Sequence, residues 1–567
     1  MPHLLLWHAL NNWQIDMPII DQAVSRILRI ILKSGKMDKM SAPKGAVNTP
    51  EHQSLARKLA EEAITLLKND GNLLPLDRTR LKSVAILGPN AAEAVIEGGG
   101  SSHVDPPYRV TPLEALKTKM GGKVDLQYEQ GCDNFDETPV VPADWFTLPE
   151  GTDHGMRAEY FDNPDLSGQP EHRLIEPRPS FWRYMSSTQQ PDPQFSARWT
   201  ARLIVPVDGR YLFKLGYAGI CRVLLNEELI FDGSLPVDDR LIRPEVIKET
   251  QKELHGGQPY SLRIEFFKYP GQEILSYRLM AALCLPQTDE RLRRAVEVAK
   301  KCELAVVFAG MPEGYESEGT DRPDMDLPGG QDALIHAVAQ ANPKTVVVLN
   351  AGSPVSMPWL DEVAAVVMAY YPGQENGNAV ANVLLGKVNP SGKLPVTFPK
   401  RLQDNPAFMD SPFQGARQII YGEGLFVGYR YYDQEEIEPM FPFGHGLSYT
   451  SFMYGRVKVP ETAVAGEGIR ITATVKNTGK ITGKEIVQLY LVDRVSSLPR
   501  PPKELKGFAK VTLQPGEEKI VTFELNERAM AFYDPHQKGW VTEPGEFEVL
   551  LGSSSRDIRA RATFTLM

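Results

Sequence analysis

The sequence predicts a multidomain fold with α/β and all-β parts: a doubly wound α/β sandwich, a β-sandwich inserted into it, and a second β-sandwich at the C-terminal end. Three observations predict it. Continuous apolar runs alternate with helical patterns on both sides of residues 151–286. Those residues carry short strand-like runs with turn signals, and so do residues 446–567. Because the α/β pattern resumes after the middle block, that block is interpreted as an insertion in a loop.

Size and composition restrict the class of protein. The 567 residues suffice for three or four domains, and 24% charged with 42% apolar residues is the balance of a soluble globular protein. The formal net charge of −10 argues against a nucleic-acid partner because a basic footprint is missing. No run approaches the roughly 20 apolar residues that span a bilayer. The N-terminal MPHLLLWHAL lacks the features of a signal peptide, and the localisation stays open.

Two helices are predicted at the N-terminal end. Residues 19–37 place apolar side chains near one helical face, and a linker follows over residues 39–48. Thr49 is a suitable N-cap and Pro50 a suitable first residue for the second helix. The apolar spacing predicts that this helix continues to Asn69-Asp70-Gly71, where glycine suits a left-handed cap.

The α/β sandwich is predicted from continuous apolar runs, which are typical of parallel strands covered on both faces. The strands predicted from such runs are residues 83–88, 304–308, 345–349 and 364–368. The helices predicted among them are residues 289–302 and 330–340.

Turn signals separate alternating strands in both all-β blocks. In the inserted block, Asp208-Gly209 lies between the alternating residues 202–207 and 211–215, which predicts a β-hairpin. The C-terminal block repeats the pattern around Asn477-Thr478-Gly479-Lys480. Short strands with regular turns predict a sandwich there.

The cysteines form no C-x-x-C pair, and four in a chain of this length do not indicate a disulfide framework. We expect all of them to be small buried hydrophobic residues. They are Cys132, Cys221, Cys284 and Cys302.

The densest polar cluster is residues 315–328, which follow the strand predicted at residues 304–308. Ligand sites in open α/β sheets lie beyond the carboxyl ends of the strands. Several acids and an arginine on such a loop can bind sugar hydroxyls, and one carboxyl can be held protonated by like-charged neighbours. From the residues alone, a site and a solvated acidic loop are both open.

Within this loop, Glu318-Gly319-Thr320-Asp321-Arg322 resembles the E-G-x-D-R segment of family 3 glycoside hydrolases of the β-glucosidase type. Further segments resemble the family in its own order along nearly the whole chain, which makes the resemblance strong. They are residues 19–38, similar to the last helix of the family's barrel domain; residues 62–76, 98–102 and 388–399 of its α/β sandwich; residues 421–432 and 441–449 at the link into its fibronectin type III-like domain; and residues 156–161, similar to a protective-antigen-like module of some members.

The resemblance implies an order of domains. They are a remnant of the end of the barrel domain at 1–40, the two halves of the α/β sandwich at 41–150 and 287–405, the inserted protective-antigen-like β module at 151–286, a linker at 406–445, and the fibronectin type III-like domain at 446–567.

The resemblance also implies that Glu318 is the general acid/base, with Glu316 as the alternative. A retaining glycosidase needs a carboxyl that is protonated when the leaving oxygen departs and ionised when water attacks. The acidic neighbours are expected to raise the pKa of that carboxyl and Arg322 to oppose them. Ser101, Asp321 and Arg322 complete the predicted substrate-binding set, the last two chiefly by holding the loop's shape.

The family's nucleophile is an aspartate on the barrel, of which residues 1–40 resemble only the end. Ala143-Asp144-Trp145 is similar to the nucleophile segment but follows no barrel strand, so we do not expect it to act as one. Retention needs two carboxyls about 5 Å apart, and the chain supplies one. We therefore expect an N-terminally truncated chain that is inactive alone or acts with a separate barrel-bearing chain.

The predicted function is the retaining hydrolysis of terminal β-D-glucosidic bonds in a β-linked oligosaccharide or other glycoside. A β-xylosidase is one alternative, because the residues that choose between the sugars would lie on the barrel. A non-catalytic carbohydrate-binding or scaffold protein is the alternative from another class. No metal or organic cofactor is expected, since carboxyls do the chemistry and residues 217–220 lack the aspartate pair of calcium-binding relatives.

Overall fold

The computed structural model describes residues 9–10, 12, 15–35, 37, 45–134, 145–176, 180–184, 196–206, 208–218, 220–233, 246–267, 276–284, 289–318, 322, 324–410 and 421–567. The chain divides into two compact units, Met1–Leu55 and Ala56–Met567. Among the helices of these described ranges, none has the length and apolarity needed to cross a membrane.

The first unit contains helix α1 (Met17–Lys33), which confirms the helix predicted there but ends four residues earlier. Gly35, at φ +68°, takes a left-handed conformation just beyond it. No residue of α1 is buried, and Ile27 and Ile30 are 62% and 67% exposed.

Helix α2 (Pro50–Ala63) begins as predicted, because the Thr49 hydroxyl oxygen accepts a hydrogen bond from the His52 backbone N–H at 3.3 Å. The prediction that it continues to Gly71 is wrong. It ends at Ala63, and strand β1 (Thr65–Asn69) follows. β1 pairs antiparallel with Ala365–Met368, so that Leu67, whose spacing continues the apolar face of the helix, lies in a sheet.

The α/β part continues with β2 (Ser83–Leu87), α3 (Pro112–Met120) and β3 (Asp125–Glu129). Helix α3 begins with a capping box in which Thr111 and Glu114 satisfy each other's backbone N–H groups.

The inserted block forms two sheets that enclose one core around Trp199, Tyr211 and Phe266. A seven-stranded sheet has the order β11-β10-β13-β8-β5-β6 with β4 beside β8, and a four-stranded sheet has the order β12-β9-β14-β7. The strands are β4 (Phe146–Thr147), β5 (Met156–Phe161), β6 (His172–Glu176), β7 (Ser180–Tyr184), β8 (Ser196–Ile204), β9 (Gly209–Ala218), β10 (Ile220–Leu225), β11 (Glu228–Gly233), β12 (Val246–Leu254), β13 (Pro259–Phe267) and β14 (Ser276–Cys284).

The hairpin predicted across Asp208-Gly209 is wrong, because β8 and β9 lie in different sheets. Leu203 on β8 and Tyr211 on β9 are both fully buried in the shared core. The chain therefore crosses from one layer of the sandwich to the other at this turn.

The α/β part resumes with α4 (Asp289–Lys301), β15 (Leu304–Gly310), α5 (Gln331–Ala341), β16 (Thr345–Asn350), β17 (Ala365–Met368) and α6 (Asn376–Leu384). Its sheet has the order β1-β17-β16-β15-β2-β3, and all pairs except β1–β17 are parallel. Side chains of α4 and α5 pack on one face of the sheet and those of α3 and α6 on the other. The predicted doubly wound sandwich is confirmed.

The C-terminal part is a β-sandwich, as predicted, after the short helices α7 (Pro406–Asp410) and α8 (Tyr429–Gln434). A sheet ordered β18-β20-β23 and a sheet ordered β19-β27-β26-β21-β22 share one core, and β24 pairs with β25. The strands are β18 (Phe452–Tyr454), β19 (Thr462–Ala463), β20 (Ile469–Asn477), β21 (Gly483–Asp493), β22 (Glu504–Leu513), β23 (Glu518–Leu525), β24 (Phe532–Asp534), β25 (Gly539–Val541), β26 (Gly545–Gly552) and β27 (Ile558–Leu566).

Cys221 and Cys302 are buried, Cys132 is half-buried, and all three are free. The Cys284 side chain lies outside the described part. The limits assigned to individual domains stay predictions.

Candidate active site

The candidate site lies at the carboxyl edge of the parallel sheet, where ligands bind in folds of this kind. Four neighbouring strands, β17, β16, β15 and β2, end at this edge. The segments that follow them are residues 369–371, 351–353, 311–318 and 88–102. Each contributes at least one side chain or backbone group to the hydrogen bonds at Glu316 and Glu318.

Glu316, on the segment after β15, is held by four hydrogen-bond donors. Oε1 accepts from Arg322 Nη1 at 3.0 Å and from the Ser353 hydroxyl. Oε2 accepts from the Gly352 backbone N–H at 2.5 Å and from the Tyr371 hydroxyl. The side chains of Glu316 and Arg322 are only 11% and 12% exposed.

This environment keeps the Glu316 carboxyl ionised. Burial raises its pKa, but the hydrogen bonds from Ser353, Tyr371, Gly352 and Arg322 outweigh burial and leave the pKa below its ordinary value of 4.5. Burial and the bond to Glu316 raise the pKa of Tyr371. The Tyr371 hydroxyl therefore stays protonated and donates a hydrogen bond to Glu316.

Glu318, two residues further on, is exposed. Its Oε2 accepts from the Ser101 hydroxyl and from the Ser101 backbone N–H at 3.3 Å. In the described part of the chain, Ser101 is its hydrogen-bond partner. The carboxyl is thus anchored on one oxygen and open to a ligand.

The glycines before Ser101 allow the two loops to pack closely. A Cβ at Gly98 would lie 2.7 Å from the Glu316 carbonyl oxygen. A Cβ at Gly100 would lie 2.8 Å from both the backbone nitrogen and the Cβ of Glu318. Gly100 also has φ +65°, which side chains disfavour. The Gly-rich segment (residues 98–102) therefore packs closely against the acidic loop (here its residues 311–318) because it lacks side chains at Gly98 and Gly100.

A cavity of about 1040 Å³ opens beside this network. Glu316, Ser317 and Arg322 line one side of it. The rest is mainly apolar and includes Val396, Leu402, Phe408, Tyr429 and Phe443. Such a mixed lining suits an organic ligand with both polar and apolar surface.

Three side chains on the segments after β2 and β15 could offer ligand atoms to a metal ion, since atoms of Glu97, His103 and Glu313 lie within 4.8 Å of one another. Other partners already bind them. His103 lies between Glu97, at 2.5 Å, and Asp105, at 3.1 Å, and Arg109 binds both oxygens of Glu313. The guanidinium beside Glu313 disfavours a second cation, so this group fits ion pairing better than metal binding.

Of the predicted site residues, Ser101 bonds to Glu318 and Arg322 bonds to Glu316, two residues away on the same loop. Asp321 and Asp144 lie outside the described residues. Sequence reasoning missed Gly352, Ser353 and Tyr371. Their signal was present, because each follows a predicted parallel strand within a few residues.

A parallel sheet that presents an open carboxyl at its ligand-binding edge is the arrangement of an α/β enzyme domain. The model of the glycosyl hydrolase family 3 C-terminal domain matches residues 64–449, and that of a fibronectin type III-like domain matches residues 485–555. The chain belongs to glycosyl hydrolase family 3 and is a glycoside hydrolase.

Relatives agree with this assignment. A β-glucosidase of Rhizobium radiobacter is 35% identical over 98% of this chain and 68% of its own length. A solved β-glucosidase of Kluyveromyces marxianus in complex with glucose is 34% identical, with a TM-score of 0.72 over 99% of this chain and 69% of the relative. DesR, a β-glucosidase from Streptomyces venezuelae solved with D-glucose, is 33% identical, with a TM-score of 0.73 over 99% and 66%. This chain thus spans about two thirds of these relatives.

Proposed function

We propose that this chain provides the acid/base part of a hydrolase for terminal β-D-glucosidic bonds that retains the anomeric configuration. The observation that carries the proposal is the exposed Glu318 carboxyl, anchored by Ser101 at the ligand-binding edge of the sheet. The choice of β-glucoside as substrate rests on the relatives, which are β-glucosidases.

The geometry favours Glu318 over Glu316 as the acid/base. Four donors occupy the Glu316 carboxylate, which leaves it no free lone pair for a substrate proton. Its lowered pKa keeps it ionised, whereas a general acid must carry a proton. Glu318 has one oxygen anchored by Ser101, and its other oxygen has no hydrogen-bond partner among the residues that the structure describes.

In the proposed reaction, Glu318 first protonates the glycosidic oxygen as the bond to the sugar breaks and a second carboxylate attacks the anomeric carbon. The Glu318 carboxylate then takes a proton from water, and the water oxygen displaces the enzyme carboxylate from the sugar. The Ser101 hydroxyl donates to Glu318 in its ionised state. Ser101, Asp321 and Arg322 stay proposed substrate-binding residues, with Arg322 acting mainly on the loop's shape.

The second carboxylate must lie about 5 Å from the first. Glu316 has no capacity left for this role. We propose that a chain of these 567 residues alone is inactive, and that the nucleophile comes from a barrel such as the one in the family pattern that the sequence resembles. The relatives' additional length agrees with this proposal.

The test is hydrolysis of p-nitrophenyl β-glucoside by the purified chain and by a joined form, defined as this chain fused to the part of the Rhizobium radiobacter β-glucosidase that lies outside the match. We expect no turnover by the chain alone, turnover by the joined form, and β-glucose as the first product in proton NMR. Turnover by the chain alone would place a second carboxyl within it, with Asp144 as the first candidate.

The same assay separates the alternatives. Preference for p-nitrophenyl β-xyloside would favour a β-xylosidase. Glucose binding without turnover in the joined form would favour a carbohydrate-binding or scaffold protein, and α-glucose as the first product would contradict retention.

A further inference from the structure

The ion pair between Glu316 and Arg322 closes a ring in the acidic loop. Glu316 precedes Glu318 by two residues and Arg322 follows it by four. The Arg322 guanidinium binds Glu316 Oε1 at 3.0 Å and the Ser353 hydroxyl at 2.9 Å. The acid/base segment is therefore tied together on both sides of the proposed catalytic carboxyl.

The same carboxylate ties this loop to the end of β16, which lies beside β15 in the sheet, and to the end of β17, the next strand. Gly352 and Ser353 follow β16, and Tyr371 follows β17. Their chain separations from Glu316 are 36, 37 and 55 residues, so these contacts hold the loop in the tertiary fold. A Cβ at Gly352 would lie 3.1 Å from Glu316 Oε2, which shows how closely the carboxylate is seated.

On its other side, the loop meets the Gly-rich segment. Ser101 contacts Glu318, and a Cβ at Gly99 would lie 2.9 Å from Gly314 Cα. Glu318 thus lies between a buried anchor and a closely packed neighbouring loop. Movement of the loop relative to the Gly-rich segment would alter the contact between Glu318 and Ser101.

We propose that Glu316 is the positioning residue of the acid/base: its carboxylate, held by Arg322, Ser353, Gly352 and Tyr371, fixes the loop that presents Glu318 to the substrate. This inference rests on the proposed function, because it assigns Glu316 a role through Glu318. Glu316 itself exchanges no proton with the substrate.

Glu316→Gln is the informative substitution. It keeps the side chain's shape but replaces one acceptor oxygen with an NH₂ group, and all four partners are donors. At least one donor must then turn away. Tyr371→Phe, which removes a single donor, is the milder variant in case Glu316→Gln does not fold.

Glu159→Gln is the matched control. Glu159 lies on β5 of the inserted block, its side chain is also 11% exposed, and its oxygens also accept from arginine side chains, those of Arg173 and Arg198. Loss of that carboxylate removes ion pairs to arginines that are 60% and 31% exposed, and it leaves the hydrogen bonds at Glu316 and Glu318 unchanged.

The first measurement is hydrogen–deuterium exchange of the full chain, followed on peptides that cover residues 311–318. In parallel, the rate at which a carbodiimide modifies the Glu318 carboxyl is measured by mass spectrometry. Glu316→Gln should speed exchange of these peptides at least tenfold and change the labelling rate of Glu318. Tyr371→Phe should do so less, and Glu159→Gln should leave both readouts unchanged. Unchanged exchange in Glu316→Gln would overturn the proposal, whether or not the chain hydrolyses glucosides.

The second measurement is kinetic, in the joined form. Glu316→Gln should lower kcat/KM for p-nitrophenyl β-glucoside about 10- to 100-fold, mainly through kcat, because a displacement of about 1 Å costs about that much. Azide should not rescue it, since the Glu318 carboxyl is displaced but still present beside the substrate. Rescue by azide would make Glu316 itself the acid/base and overturn the positioning role. Absence of turnover in the unmodified joined form would instead count against the proposed function.

Discussion

Replacement of Gly100 by alanine tests whether the Gly-rich segment sets the position of Glu318. Gly100 has φ +65°, and a Cβ there would lie 2.8 Å from the Glu318 backbone nitrogen and Cβ. Ordinary contact begins near 3.4 Å, so one loop must move by about 0.6 Å. The left-handed conformation costs alanine about 1–2 kcal/mol in addition.

Gly121→Ala is the control for the conformational cost alone. Gly121 has φ +63°, and a Cβ there would meet nothing within 4 Å. Gly121→Ala should therefore lose about 1–2 kcal/mol in the free energy of unfolding, measured by guanidinium denaturation, and Gly100→Ala at least as much. Only Gly100→Ala also displaces the neighbouring loop.

The assay is kcat/KM of the joined form for p-nitrophenyl β-glucoside. Gly100→Ala should lower it by about 10- to 100-fold, because the acid/base is displaced by a large fraction of an ångström. Gly121→Ala should keep the unmodified value. Equal activities of the two variants would refute the argument that close packing on the Gly-rich segment positions Glu318.

Three further predictions concern stability and pH. Leu349→Ala, at a fully buried position of β16, should lower the free energy of unfolding by about 2–5 kcal/mol, while Leu425→Ala, at a position 61% exposed, should change it by about 0.5 kcal/mol or less; similar losses in denaturant titrations would contradict the assigned core. Thr111→Ala should cost about 0.5–2 kcal/mol because it removes the capping box with Glu114, and an unchanged denaturation midpoint would count against that cap. Because the pKa of Glu316 is lowered in the fold from 4.5, its contribution to stability is present above pH 4.5 and is lost as the pH falls through the folded-state pKa. Hydrogen–deuterium exchange of residues 311–318 should therefore accelerate at that low pH in the unmodified chain but not in Glu316→Gln. Parallel pH profiles of exchange in the two chains would contradict the assignment.

Much of the α/β fold could be predicted from the sequence because its central strands are buried on both faces. Continuous apolar runs located β2, β15, β16 and β17 almost to the residue. Edge strands carry a weaker signal: β3 is half-exposed and partly polar, and β1 follows a helix whose apolar spacing Leu67 happens to continue. Local pattern alone could not separate β1 from that helix.

Turn signals located chain reversals but not strand partners. Asp208-Gly209 lies between β8 and β9, yet these two strands pair with others. The choice of sheet is decided by which buried faces meet in the core, as Leu203 and Tyr211 do. That information is tertiary and is missing from the local sequence.

The candidate site was predictable only where a motif lies within one segment. Glu318 and Arg322 belong to one short run, and the resemblance added Ser101. Tyr371 and Ser353 reach Glu316 because β15, β16 and β17 are adjacent in the sheet. The strand order, rather than any spacing along the chain, assembles that network.

The most direct test of the central claim is the effect of Glu318→Ala on two substrates of the joined form, one with an activated leaving group and one with a poor one. Since a general acid matters most when the leaving group is poor, hydrolysis of methyl β-glucoside should fall far more than that of 2,4-dinitrophenyl β-glucoside, and azide should restore part of the activity on the activated substrate by forming β-glucosyl azide. Equal effects on both substrates without azide rescue, or unchanged activity on both, would contradict the assignment of Glu318 as the acid/base.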